Sequence, residues 1–198
     1  MKNKKICKIA NENSKIILIT GGARSGKSSF AEKLAADLSN KIAYIATAIP
    51  FDEGMKDRIK KHRESRPRSW TTFEIYKDIY KHIEKISQEH DTILLDCVTI
   101  LVTNLMFDNH EIDWDVITRK KIDEIEKEIK EQVELLIKIV RDIKLNCILV
   151  TNELGMGIVP ENRLSRIFRD IAGRINQFIA SKADEVYFTV SGIPVKIK

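Results

Sequence analysis

The run Gly21-Gly22-Ala23-Arg24-Ser25-Gly26-Lys27-Ser28 fits GxxxxGK[ST] at every fixed position. It follows the apolar stretch IILIT and opens a helical pattern from Lys27 to Leu38, the context in which such a loop binds phosphate. The chemistry asks for these residue types. Glycines let backbone N–H groups wrap an anion at a helix N-terminus, where the dipole favours negative charge. Lys27 would then reach the β- and γ-phosphates of a nucleotide, and the Ser28 hydroxyl would bind Mg²⁺. A glycine-rich turn without ligand is the plain alternative, and a full match between a strand and a helix argues against it.

Such a loop works with an acid at the tip of a neighbouring strand, and Ile93-Leu94-Leu95-Asp96 supplies one. Asp96 would hold Mg²⁺ directly or through water, although a strand ending in Asp is by itself ordinary turn chemistry. The segment from Lys56 to Arg68, KDRIKKHRESRPR, holds seven Lys/Arg against two acids. One reading is a solvated basic face with His62 merely exposed. The other is chemical: surrounding cations favour the neutral imidazole, which is nucleophilic, and the arginines could hold a triphosphate. A third cluster, Thr151 to Pro160, is followed by Glu161, Asn162 and Arg163, with Arg166, Arg169 and Arg174 beyond. It follows a strand and so lies at the ligand-binding edge of an open α/β sheet. Its arginines are either phosphate ligands or a solvated helix face. His82, His90 and His110 lack metal-ligand spacing and read as surface residues.

The elements that must position these groups alternate along the chain. Strands are expected at Lys15–Thr20, Lys41–Ala46, Thr92–Asp96, Cys147–Thr151, Glu185–Val190 and Val195–Lys198, with helices at Lys27–Leu38, Tyr76–Ser87, about Asp115–Ile143 and Glu161–Ser181. Runs such as TILLD and CILVT are apolar on both faces, as buried parallel strands are. The alternation predicts an α/β fold, a mostly parallel sheet with helices on both faces. Ser191-Gly192-Ile193-Pro194 reads as the turn of a C-terminal hairpin. In the third helix Ile122, Ile125, Ile129, Val133, Leu136, Val140 and Ile143 recur at spacings of three and four, a stripe that packs on the sheet.

At 198 residues with 43% hydrophobic and 32% charged, the chain has enough apolar material for one core and too much for a disordered protein. The expected organisation is a tail, residues 1–14, and a single catalytic domain, residues 15–198. Cys7, Cys97 and Cys147 form no CxxC pair and no even set, so a reducing cytoplasm is expected rather than a disulfide framework. No apolar run reaches the roughly 18 residues of a membrane span. The net charge of +5 allows an anionic partner without naming it. The +5 of Lys56–Arg68, seven bases less two acids, equals it, so the excess is local.

The phosphate loop, IATA at Ile45–Ala48, RIKKHRESRP at Arg58–Pro67, Trp70, Thr71 and Glu74, the LLD ending at Asp96, Asn104, and NELGMGIVPENRLSRIFRDIAGRINQ at Asn152–Gln177 occur in one order along the chain. Together they resemble the bifunctional adenosylcobinamide kinase and adenosylcobinamide-phosphate guanylyltransferase family of cobalamin biosynthesis, over about Lys15 to Lys198. The resemblance implies a RecA-like phosphate-loop NTPase fold and a homotrimer. It implies two steps: ATP or GTP phosphorylates the aminopropanol hydroxyl of adenosylcobinamide, then GTP delivers GMP to that phosphate through a guanylyl-histidine, releasing pyrophosphate. The family's RIxxHxxxRP motif puts that histidine at His62. Nucleotide contacts are implied for Gly21 to Ser28, for Ala46, Thr47 and Ala48, for Arg63, Glu64, Ser65 and Arg66, and for Glu74 and Asp96, with no nucleic-acid partner. Two departures stand out: Gly54 takes the place of an expected acid, and residues 1–14 have no counterpart. The rivals are a phosphate-loop kinase of small metabolites without nucleotidyl transfer, and a RecA-like nucleic-acid ATPase. The second lacks aromatic platforms interleaved with its basic residues.

Overall fold

The structure is a computed structural model and describes residues 14–49, 67, 69–108 and 112–198. Seven strands form one sheet: β1 (Ile16–Gly21), β2 (Ile42–Ala46), β3 (Thr71–Glu74), β4 (Thr92–Asp96), β5 (Asn146–Val150), β6 (Glu185–Val190) and β7 (Ile193–Lys196), in spatial order β3-β2-β4-β5-β1-β6-β7. The first six are parallel and β7 runs antiparallel to β6. The doubly apolar strands serve two cores. Ile16 and Leu18 of β1 face one side, Ile17 and Ile19 the other.

Helix α1 (Lys27–Leu38) covers the second side with Ala31 and Ala35, while α2 (Tyr80–Ile86), α3 (Val98–Phe107), α4 (Arg119–Asp142) and α5 (Arg163–Lys182) cover the first. In α4 the expected stripe from Ile122 to Val140 is buried, with Ile137 beside it, and each fully buried branched side chain is worth about 1.5–3 kcal/mol. The Thr118 hydroxyl oxygen caps α4 by accepting from the N–H of Lys121, and Asn162 Oδ1 caps α5 by accepting from Ser165 N–H at 2.9 Å. Among the described residues no helix is long and apolar enough to cross a membrane.

Two elements lie outside those expected. VTILVTNLMF forms α3, where Val98, Leu101, Val102 and Met106 are buried and tertiary packing overrides its β-branched propensity. TTFE forms β3, a four-residue edge strand too short and too exposed to carry a two-residue apolar alternation. The terminal turn is tighter than expected. Ser191 and Gly192 alone make it, with φ of 50° and 82°, the double positive φ of a two-residue hairpin, so β7 starts at Ile193. His90 is not a surface residue: it is buried, its Nδ1 donates to the Ile86 carbonyl at 3.0 Å, and its ring meets Phe73 edge-on. His82 is exposed, as expected. His110, Cys7 and residues 1–13 of the expected tail lie outside the described residues.

Candidate functional site

The register lines up the carboxyl ends of the strands. Glu74 pairs with Ala46, Ala46 with Asp96, Asp96 with Val150, Val150 with Ile19, and Ile19 with Tyr187. The phosphate loop begins two residues past Ile19, so Asp96 stands two strands from it, about 10 Å at ~4.8 Å per strand, and Glu74 four strands away, about 19 Å. His62, Arg63, Glu64, Ser65 and Arg66, with Gly54, fall outside the described residues.

The loop between β1 and α1 has the geometry its glycines require. A Cβ on Gly21 would lie 2.5 Å from the Thr189 carbonyl oxygen and 2.7 Å from Ser25 Oγ. Gly26 has φ +90° and would set a Cβ 2.9 Å from Gly192 Cα, so both its conformation and its neighbour exclude a side chain. That neighbour belongs to the β6–β7 turn, whose Gly192 N–H donates to Ser25 O at 2.8 Å. The hairpin therefore clamps the loop from behind. Lys27 Nζ donates to Gly22 O at 3.0 Å and so lies across the loop. No side chain caps α1, which leaves its first N–H groups to the loop's interior.

At the tip of β4, Asp96 Oδ2 accepts from the Tyr44 hydroxyl at 3.0 Å. Tyr44 is not among the expected site residues. The one clue is a lone hydroxyl in the otherwise apolar IAYIA, because a phenol buried in a core needs a partner. Cys97 adjoins: burial first, then the Asp96 carboxylate, push its thiol up to about 11, and Lys27 pulls the other way, so both charges act on one neighbourhood. Thr47 has its polar groups engaged within the protein. Its hydroxyl donates to Cys97 O at 2.8 Å and accepts from Cys97 N–H at 2.9 Å, and its carbonyl accepts from Asn104 Nδ2 at 2.7 Å. It ties β2 to β4 and leaves Ala46 and Ala48 nearer to solvent on either side.

The cluster after β5 separates into parts. Asn152 N–H donates to Thr99 Oγ1 at 2.7 Å, the Thr99 and Thr151 hydroxyls are 3.2 Å apart, and Thr151 donates to Asn176 Oδ1 at 2.8 Å. Asn176 Nδ2 closes the ring by donating to Asn152 O at 3.1 Å. Glu153 N–H then donates to Gly21 O at 3.0 Å, which joins this loop to the phosphate loop. The arginines do not gather at the edge as phosphate ligands. Arg174 makes a two-pronged pair with Glu126, Arg166 donates to the carbonyls of Pro160 and Glu161, Arg163 donates to those of Trp114, Asp115 and Ile117, and Arg169 leans on Asp170. Arg163, Arg166 and Arg174 fasten the loop and α5 to α4 and its approach.

The donors available to a cation are the Ser28 hydroxyl and the Asp96 carboxylate, hard oxygens of the kind Mg²⁺ takes. Among the described residues no group of three or more His, Cys, Asp or Glu forms a cage. Mg²⁺ needs none, since it binds through one or two protein oxygens, waters and nucleotide phosphates, so the residues present fit it.

This arrangement, a phosphate loop on β1 with an acid two strands away, has relatives. A solved ATPase domain superposes with a TM-score of 0.50 at 14% identity, covering 88% of this chain and 68% of that one, a likeness of fold. The bifunctional adenosylcobalamin biosynthesis proteins CobU of Salmonella typhimurium and of Escherichia coli are each 46% identical over 187 residues, 92% of this chain and 99% of theirs. The bifunctional adenosylcobalamin biosynthesis protein CobP of Pseudomonas aeruginosa is 37% identical over 183 residues, 91% of this chain and 96% of its own. The family described as CobU, cobinamide kinase / cobinamide phosphate guanyltransferase, matches residues 17–197. With nearly its whole length matched and the phosphate loop in place, the chain belongs to the cobinamide kinase / cobinamide phosphate guanyltransferase family.

Proposed function

We propose that this chain catalyses both steps: phosphorylation of adenosylcobinamide by ATP or GTP, and transfer of GMP from GTP onto the resulting phosphate, giving adenosylcobinamide-GDP and pyrophosphate. The observation that carries the reading is the phosphate loop, with its glycines at 21 and 26 and Lys27 folded across it, in a chain of this family. In the first step the loop's N–H groups and Lys27 hold the phosphates and offset the charge that develops on the transferred group. Backbone and side chains of Gly21, Gly22, Ala23, Arg24, Ser25, Gly26, Lys27 and Ser28 make that cradle. Ser28 and Asp96 would hold Mg²⁺, which when bound neutralises charge between the β- and γ-phosphates.

In the second step His62 is the nucleophile. Its imidazole attacks the α-phosphorus of GTP, pyrophosphate leaves, and the acceptor's phosphate oxygen then displaces the histidine. Arg63 and Arg66, with Glu64 and Ser65, would contact the nucleotide beside it. Ala46, Ala48 and Glu74 would contact the nucleotide at the carboxyl edge, where Ala46 pairs with Glu74. The protein acts, on this reading, as a cytoplasmic homotrimer, with residues 15–198 as one catalytic domain. The test is product analysis with adenosylcobinamide, ATP, GTP and Mg²⁺. Adenosylcobinamide-GDP with one pyrophosphate released per turnover is expected. A phosphorylated acceptor that never gains GMP would return the chain to the small-metabolite kinases. Hydrolysis that depends on DNA and falls steeply with salt would make it a nucleic-acid ATPase.

A further inference from the structure

The phosphate loop shares a cleft of about 300 Å³ with the tips of the strands beside β1. Gly22 to Ser25 form one wall, Glu153 and Met156 come from the loop after β5, and Phe188 to Ser191 from the end of β6. Ser25 and Thr189 line it with their hydroxyl oxygens buried beneath its surface, Ser25 Oγ lying against Gly21. Glu153 marks it as a built site. Its N–H is held by Gly21 O at 3.0 Å and its Oε1 accepts from Gly155 N–H at 2.7 Å, while among the described residues nothing donates to Oε2. A carboxylate oxygen with spare accepting capacity is thus fixed beside the phosphate loop.

We propose that this cleft receives the hydroxyl-bearing arm of the phosphoryl acceptor, and that Glu153 takes the hydroxyl's proton; the proposal rests on the kinase reading above. Arg24 also lines the cleft and suits the nucleotide's phosphate, whereas the Glu153 carboxylate suits an alcohol, which donates to it. The surroundings also favour the acceptor. Met156, Ile158, Val159 and Val190 are exposed side chains on the two segments that flank the cleft, an apolar apron suited to a large macrocycle rather than to phosphates. In the step, the acceptor oxygen forms a bond to the γ-phosphorus and its proton passes to Glu153 Oε2. The bond from the γ-phosphorus to the bridging oxygen breaks, and that oxygen leaves with the electron pair on the nucleoside diphosphate. Glu153 then returns the proton to water.

The test is steady-state kinase kinetics on the full chain with adenosylcobinamide. Glu153→Gln is expected to lower kcat by about 10²–10⁴-fold with the nucleotide KM unchanged. Glu153→Asp, which keeps the carboxylate, should recover part of the rate. Met156→Glu, on an exposed side chain of the same cleft, should raise the KM for adenosylcobinamide about tenfold and leave that for the nucleotide alone, and this variant carries the test should the Gln variant fail to fold. A wild-type kcat in Glu153→Gln would overturn the assignment of the base. A rise in the nucleotide KM alone in Met156→Glu would give the cleft to the nucleoside. Wild-type protein that cannot phosphorylate adenosylcobinamide would instead overturn the kinase reading, and the assignment with it.

Discussion

The two edges of the sheet are built on opposite plans. At the amino edge the polar groups are matched. Asp184 accepts from Ile16 N–H at 2.7 Å and pairs with Arg141, Asn146 Oδ1 accepts from Lys15 N–H at 3.0 Å, and Glu185 meets Lys15 at 2.6 Å and Lys196 at 3.3 Å. At the carboxyl edge several are not. Of the buried side-chain oxygens without a partner among the described residues, Thr20 Oγ1, Ser25 Oγ and Thr189 Oγ1 sit there, and Asn104 Oδ1 belongs to a side chain that reaches it through Thr47. One edge is tied by paired side chains, and the other carries buried hydroxyls without partners around the phosphate loop, which is where local rules are expected to be broken.

That contrast can be broken by experiment. The largest effect is expected at the carboxyl edge: Lys27→Ala should lower kinase kcat by about 10²–10³-fold, since it removes one preorganised charge, with the thermal midpoint nearly unmoved. Full kinase activity in that variant would show that the loop serves another step. Gly26→Ala should lose activity and stability together, because a side chain there meets Gly192 Cα in a left-handed conformation. The strain, about 1–3 kcal/mol, should lower Tm by several degrees in a scanning calorimeter. At the amino edge Asp184→Ala should do the reverse. Losing the acceptor of Ile16 N–H and the partner of Arg141 should cost about 1–2 kcal/mol and leave kinase kcat within twofold of wild type.

The smallest effect concerns pH. Lys15 first, then the Tyr187 hydroxyl, hold the Glu185 carboxyl at about 2, below its ordinary 4.5. A depressed carboxyl stabilises the fold above its unfolded pKa, and that contribution fades as pH falls through about 2. The Tm gap between wild type and Glu185→Gln should therefore be fullest above pH 5 and close between about pH 4.5 and 2. Lys15 is half exposed, so solvent screening keeps the gap to a degree or two. A gap that widened toward acid would mean that this pair does not support the fold.

Much of this plan was legible in the residues. The phosphate loop announces itself because its chemistry is local: eight consecutive residues carry the fold requirement and the ligand requirement at once. Asp96 and the parallel strands follow from apolar runs that end in a polar group. What escaped depends on distant parts of the chain. Gly26 touches Gly192, and Tyr44 reaches Asp96 from the next strand, contacts no spacing rule encodes. Helix α3 escaped because its apolar residues face both the sheet and its neighbours, which erases the helical period that exposed α4. The arginines of α5, read as either phosphate ligands or a solvated face, show the converse. Their spacing suits a phosphate face, but only the fold brings Glu126 against Arg174.

The central claim, that one chain passes GMP through His62 to a phosphate it has itself installed, is tested most directly by following α-labelled GTP. Wild-type protein with GTP and Mg²⁺ should acquire acid-labile, alkali-stable label, lose it to adenosylcobinamide phosphate on addition of that acceptor, and acquire none as His62→Ala. Label that persists in His62→Ala, or label that adenosylcobinamide phosphate does not remove, would contradict the account.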